Sequence, residues 1–98
     1  MPTAILQTAE LARTRFVKGE IEAGIVFADN AIEYWDSNPS RALSFRADAQ
    51  DCYETASLLI QQAGPSHRWP QELGAMMDDL KGRLDVLRRT QLIASVAA

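Results

Sequence analysis

Residues 19 to 35, GEIEAGIVFADNAIEYW, constrain the fold more than any other stretch of the chain. They place Ile21, Gly24, Ile25, Phe27, Ala28, Ala31, Ile32, Tyr34 and Trp35 on one side of an α-helix and Glu22, Asp29, Glu33 and Asp36 on the other. At 100° per residue the apolar set sweeps about 180°, wider than the roughly 100° stripe of an ordinary surface helix. A helix of this kind packs against two neighbours at once and marks the centre of a helical scaffold.

Three breaks divide the chain. Lys18-Gly19 suits a helix end, because glycine tolerates the left-handed C′ conformation and lysine suits the negative end of the dipole. Asp36-Ser37-Asn38-Pro39 joins capping residues to a proline fit for a first helical position. The longest break, Ala63 to Pro70, closes one helix with Gly64-Pro65 and opens the next with Pro70 near its start and Glu72 in the first turn. Helices are therefore expected over 3–18, 20–36, 39–63 and 70–95. The first break is the weakest, since one glycine costs only about 1 kcal/mol inside a helix, and residues 3–36 then run on as one. No strand pattern competes.

The last two helices carry matched seams. Ala42, Phe45, Ala49, Cys52, Ala56 and Leu59 recur at spacings of three and four, and so do Leu73, Met77, Leu80, Leu84 and Leu87. One seam is mostly small and the other mostly large, which lets two antiparallel helices approach closely. The expected fold is all-α: one helical domain over 1–98, an antiparallel four-helix bundle.

With 98 residues, 47% hydrophobic and 23% charged, the chain has the composition of a soluble globular domain. It has no apolar run long enough for a bilayer and no signal-peptide pattern at its N-terminus, so no membrane partner and a cytoplasmic location are expected. Cys52 is the lone cysteine, which excludes an internal disulfide, and its place in the small seam makes it a buried hydrophobe. The net charge is −3, and Lys81, Arg83, Arg88 and Arg89 are interrupted by Asp78, Asp79 and Asp85. Without a continuous basic patch, no nucleic-acid partner is expected.

Leu11, Ala12, Gly19, Glu20, Ile21, Gly24, Phe27 and Ala31 follow the spacing of a tetratricopeptide repeat, and the stretch from Leu11 to Ile32 resembles one copy of it, about a third of the chain. A shift of 34 residues sets Gly19 against Tyr53, so no second copy follows in register. The microtubule-interacting and transport domain resembles the same segment. The resemblance implies a helical hairpin closed by a close approach between Ala12 and Gly24. It also implies a protein-binding role, with Leu6, Glu10, Arg13, Phe16 and Val17 on the partner-facing side of the first helix. Arg13 and Phe16 join a cation to an aromatic anchor.

Catalytic patterns are missing. His67 stands alone in a loop where solvent is expected to reach it, and no GxGxxG, Walker or HExxH motif occurs, so neither metal nor cofactor is expected. The acidic ridge Glu22, Asp29, Glu33 and Asp36 reads as a solvated face. The first hairpin also resembles that of the HEPN-type helical ribonucleases, but no arginine stands four to six residues before His67. The chain is expected to be a non-enzymatic protein-interaction module, an adaptor, regulator or assembly partner. The alternatives are a self-associating structural module and, behind it, a HEPN-type ribonuclease. The surface for self-association is a stripe on the last helix opposite its leucines, Ala75, Gly82, Val86, Ile93 and Ala97; the competing expectation buries that stripe on the first hairpin.

Overall fold

A computed structural model describes the backbone of residues 2–97 and the side chains of residues 8–90. Three α-helices, α1 (Pro2–Tyr34), α2 (Pro39–Ala63) and α3 (Gln71–Ala97), account for nearly all of the described backbone, and no strand occurs among the described residues. The fold class is all-α, but the bundle has three helices where the punctuation suggested four. Gly19 is an interior residue of α1. The reason lies in the face on either side of it: Val17, Ile21, Gly24, Ala28 and Ala31 keep the three-and-four spacing without interruption and are all buried. A break after Lys18 would discard that continuity to avoid a glycine penalty of about 1 kcal/mol. Ala12 and Gly24 consequently sit on one helix and cannot meet, and Ala12 is exposed.

The turn into α2 is set locally. Asn38 caps the helix, its side-chain oxygen accepting from the Arg41 N–H at 3.2 Å, and Pro39 occupies the first turn. An aromatic stack locks the hairpin behind the cap, with Phe45 between Phe27 and Tyr34 at centroid distances of 6.3 and 5.9 Å. The Arg41 guanidinium lies 4.7 Å from the centre of the Tyr34 ring. At the far end α2 stops at Gly64, whose φ of 79° lies in the region glycine favours.

The small seam of α2 turns toward α1. Ala42, Ala49 and Ala56 are fully buried, and the α1–α2 contact is the most extensive in the molecule. The leucine seam of α3 is equally buried at Leu73, Leu80, Leu84 and Leu87, but α3 rests mainly on α1 and less on α2. The closest pairing is thus between α1 and α2, not between the two helices with matched seams. Gly24 shows why. A Cβ there would stand 2.7 Å from Leu80 Cδ2 and 3.0 Å from Cys52 Cβ, so all three helices converge on a residue without a side chain.

Helix α3 runs parallel to α1 in a register marked by two exposed ion pairs. Lys18 Nζ reaches Glu72 at 3.3 Å, Arg83 pairs with Asp29, and each pair spans 54 residues. Asp79 holds the same guanidinium at 3.0 Å; its hydrogen bond, and then the attraction of Asp29, keep Arg83 above the usual arginine range. Asp29 thus remains exposed on the acidic ridge while making a contact between helices. In this register Tyr34 is level with Arg88, so the last turns of α3 extend past the α1–α2 turn while the first turns of α1 extend past the end of α2. The stagger gives a rod of 61 × 20 × 18 Å with a radius of gyration of 16.3 Å, against about 13 Å for a compact chain of this length. No described helix is long and apolar enough to cross a membrane.

Candidate functional site

Where α2 ends, the loop at 64–70 folds back onto α1 and creates two shallow concavities. One, about 300 Å³, is lined by Ala9, Glu10, Arg13, Ala63, Ser66 and His67. Its neighbour, about 290 Å³, is lined by Glu10, Leu11, Thr14 and Arg68, and Glu10 forms the wall shared by both. Glu10 and Arg13 occupy the same face of α1 as buried Val17. They emerge from the core because α2 has stopped, and the loop beyond it only partly covers them.

His67 anchors the loop, and it overturns the expectation of a solvated histidine. The ring is 7% exposed, stacks on Trp69 at a centroid distance of 3.9 Å, and places Nε2 3.2 Å from Thr14 Oγ1. Nδ1 is buried and has no hydrogen-bond partner among the described residues. One nitrogen is therefore engaged and the other sealed, which suits a structural pin.

Among the residues expected to face a partner, the structure brings Glu10 and Arg13 together in the cleft. Glu10 is half-buried and Arg13 exposed, and Phe16 is 56% exposed one turn on. Val17 is fully buried and is unavailable to any partner: it is the first core residue of α1 among the described side chains. The Leu6 side chain lies outside the described residues. The loop members Ser66, His67 and Arg68 were not among the expected site residues. Their signal was the Pro65-to-Pro70 spacing, which marks a rigid loop without showing which helix it meets. Of the α3 stripe, Ala75 and Gly82 are exposed and Val86 is 49% exposed, so the described part is not buried on the first hairpin; the Ile93 and Ala97 side chains lie outside the described residues.

Among the described residues no group of three or more His, Cys, Asp or Glu side chains could hold a metal ion. No family model, curated protein or solved structure matches this chain.

Cys52, buried between α1 and α3 near Gly24, has its thiol pushed up by burial first and by the nearby Glu20 carboxylate second. The unfolded chain therefore loses this proton at lower pH than the folded one. Above about pH 8.5 the native state binds more protons, so stability falls as pH rises toward the folded value. The expected result is an alkaline loss of stability that is smaller in Cys52→Ala; urea midpoints of both proteins between about pH 7 and 10 test it, and parallel curves would refute it.

Proposed function

We propose that this chain is a non-catalytic protein-interaction module that takes an acidic, apolar-tipped peptide segment at the loop end of α1. The carrying observation is that the inward face of α1 leaves the core at Arg13 and enters an open cleft beside Ser66 and His67. Arg13 and Arg68 make no ion pair among the described residues, which leaves two guanidinium groups free for carboxylates. Phe16 supplies the exposed aromatic anchor beside Arg13. The openness of the concavities favours a side chain or two of a larger partner over an enclosed small molecule. The engaged and buried nitrogens of His67 also favour binding over acid–base chemistry.

A random peptide library displayed on phage tests the reading. Selected peptides should carry Asp or Glu next to a large apolar residue and should lose about tenfold in affinity, roughly 1.4 kcal/mol, to Arg13→Glu. Phe16→Ala should act in the same direction. Failure to enrich any peptide, or enriched peptides that bind wild type and both variants equally, would overturn it.

A further inference from the structure

The outer face of α3 carries a pattern that is complementary to itself. From Ala75 the stripe runs to Gly82, Val86 and Ile93 at spacings of seven, four and seven, with two small residues followed by two large ones. That order reads the same backwards in spacing and opposite in size. About a two-fold axis level with Leu84, an antiparallel copy sets Ala75 opposite the partner's Ile93 and Gly82 opposite the partner's Val86. Each layer then joins a small residue to a large one. A parallel copy would instead set Gly82 against Gly82 and Val86 against Val86, leaving one layer empty and the next crowded.

Three further observations agree with that arrangement. A Cβ at Gly82 would meet nothing within 4 Å, so no described residue of its own chain requires a glycine there, although it costs helix stability. Val86 is 49% exposed, and Ile32, level with it in the 54-residue register between α1 and α3, is 46% exposed. Two half-exposed apolar side chains thus stand at the height where the partner offers its glycine. Finally, Asp78 and Arg89 lie on one flank of the stripe, and neither makes an ion pair among the described residues. Flanks on the same side face each other across an antiparallel two-fold, and residues 78 and 89 fall almost equally far from its axis. Each Asp78 therefore meets an Arg89 of the other copy, twice by symmetry. Asp85, farther round that flank, is already paired with Arg88 at 3.2 Å.

We infer that the outer face of α3 docks a second copy of this chain in antiparallel orientation, centred level with Leu84, with Gly82 receiving Val86. The surface is independent of the cleft at the loop end and goes beyond the peptide-binding reading. It is small, with about 27 Å between Ala75 and Ile93 along the helix, so the dimer is reversible and concentration-dependent.

Sedimentation equilibrium of the full chain between about 10 μM and 1 mM provides the test. The wild-type average mass should climb from 10.9 kDa toward twice that value. Gly82→Leu should remain monomeric while its thermal midpoint stays level or rises, because the site is open within one chain and leucine favours helix. Asp78→Arg and Arg89→Asp should each weaken association about tenfold by opposing like charges, and the double variant should recover most of the loss. A wild type monomeric at the highest concentration would overturn the dimer. Wild-type-like association of Gly82→Leu, or a double charge variant no better than the singles, would overturn the antiparallel register. Peptide binding at the cleft should be unchanged in Gly82→Leu.

Discussion

Leu80→Ala is expected to destabilise the fold by about 3 to 5 kcal/mol, the upper part of the range for a leucine removed from a closed core. Leu80 is fully buried and its two methyl groups fill the space over Gly24, where they lie closer to an imagined Cβ than ordinary packing allows. The same geometry governs substitutions at position 24. In the wild-type background, Gly24→Ala gains helix propensity of about 1 kcal/mol but drives a methyl into Leu80 Cδ2 and Cys52 Cβ, so its net effect is neutral to destabilising by about 2 kcal/mol. Once Leu80 is truncated, its two contacts with the added methyl are gone and only Cys52 Cβ at 3.0 Å remains, so Gly24→Ala becomes less destabilising than in the wild type. The double-mutant cycle should therefore show a coupling of at least about 1 kcal/mol, read from urea midpoints at constant m-value. Additive effects would mean that Gly24 and Leu80 do not share a layer.

That layer also shows how far the chain's pattern reaches. Helix α2 could be read to its ends because both are set by neighbours in sequence: Asn38 and Pro39 at the start, Gly64 and Pro65 at the finish. The buried seams Ala42, Ala49, Cys52 and Ala56, and Leu73, Leu80, Leu84 and Leu87, follow from spacing alone. Which seam meets which helix does not. The parallel register of α3 on α1 sets Leu80 over Gly24 and brings Lys18 to Glu72 and Asp29 to Arg83, pairings that no local window contains. His67 is the same case at the cleft, since Trp69 beside it in sequence supplies the stack but its hydrogen bond comes from Thr14, 53 residues away. Resemblance singles out Glu10 and Arg13, which line the cleft, but not Ser66 and Arg68 beside them, because nothing in a proline-bounded loop states where it folds back. Val17, named with them, shows the limit from the other side: one face of a helix can be open at Glu10 and Arg13 and core from Val17 to Ala31, about four turns on.

Position 19 separates the two readings of the first third of the chain with opposite signs. In the continuous α1, Gly19 is exposed, has no atom near a would-be Cβ, and is not among the positive-φ residues. Gly19→Ala should accordingly stabilise the protein by about 1 kcal/mol, the propensity difference between the two residues. Were Lys18-Gly19 a hairpin turn with a left-handed glycine, the same substitution would be destabilising. Gly19→Pro carries the larger effect: it deletes the hydrogen bond to the Arg15 carbonyl, drives the ring into that turn, and should cost about 3 kcal/mol or more. The kink would have a specific consequence, because Val17 and the Lys18–Glu72 ion pair hold the entering half of α1 against the core and the start of α3. Tilting that half moves Thr14 off His67 and draws Arg13 away from Ser66, so Gly19→Pro should lose peptide capture at the cleft as well as stability. Gly19→Ala should retain peptide capture. Urea midpoints and far-ultraviolet circular dichroism of the two variants check the helix, and peptide affinity measured on the same samples checks that the cleft depends on it.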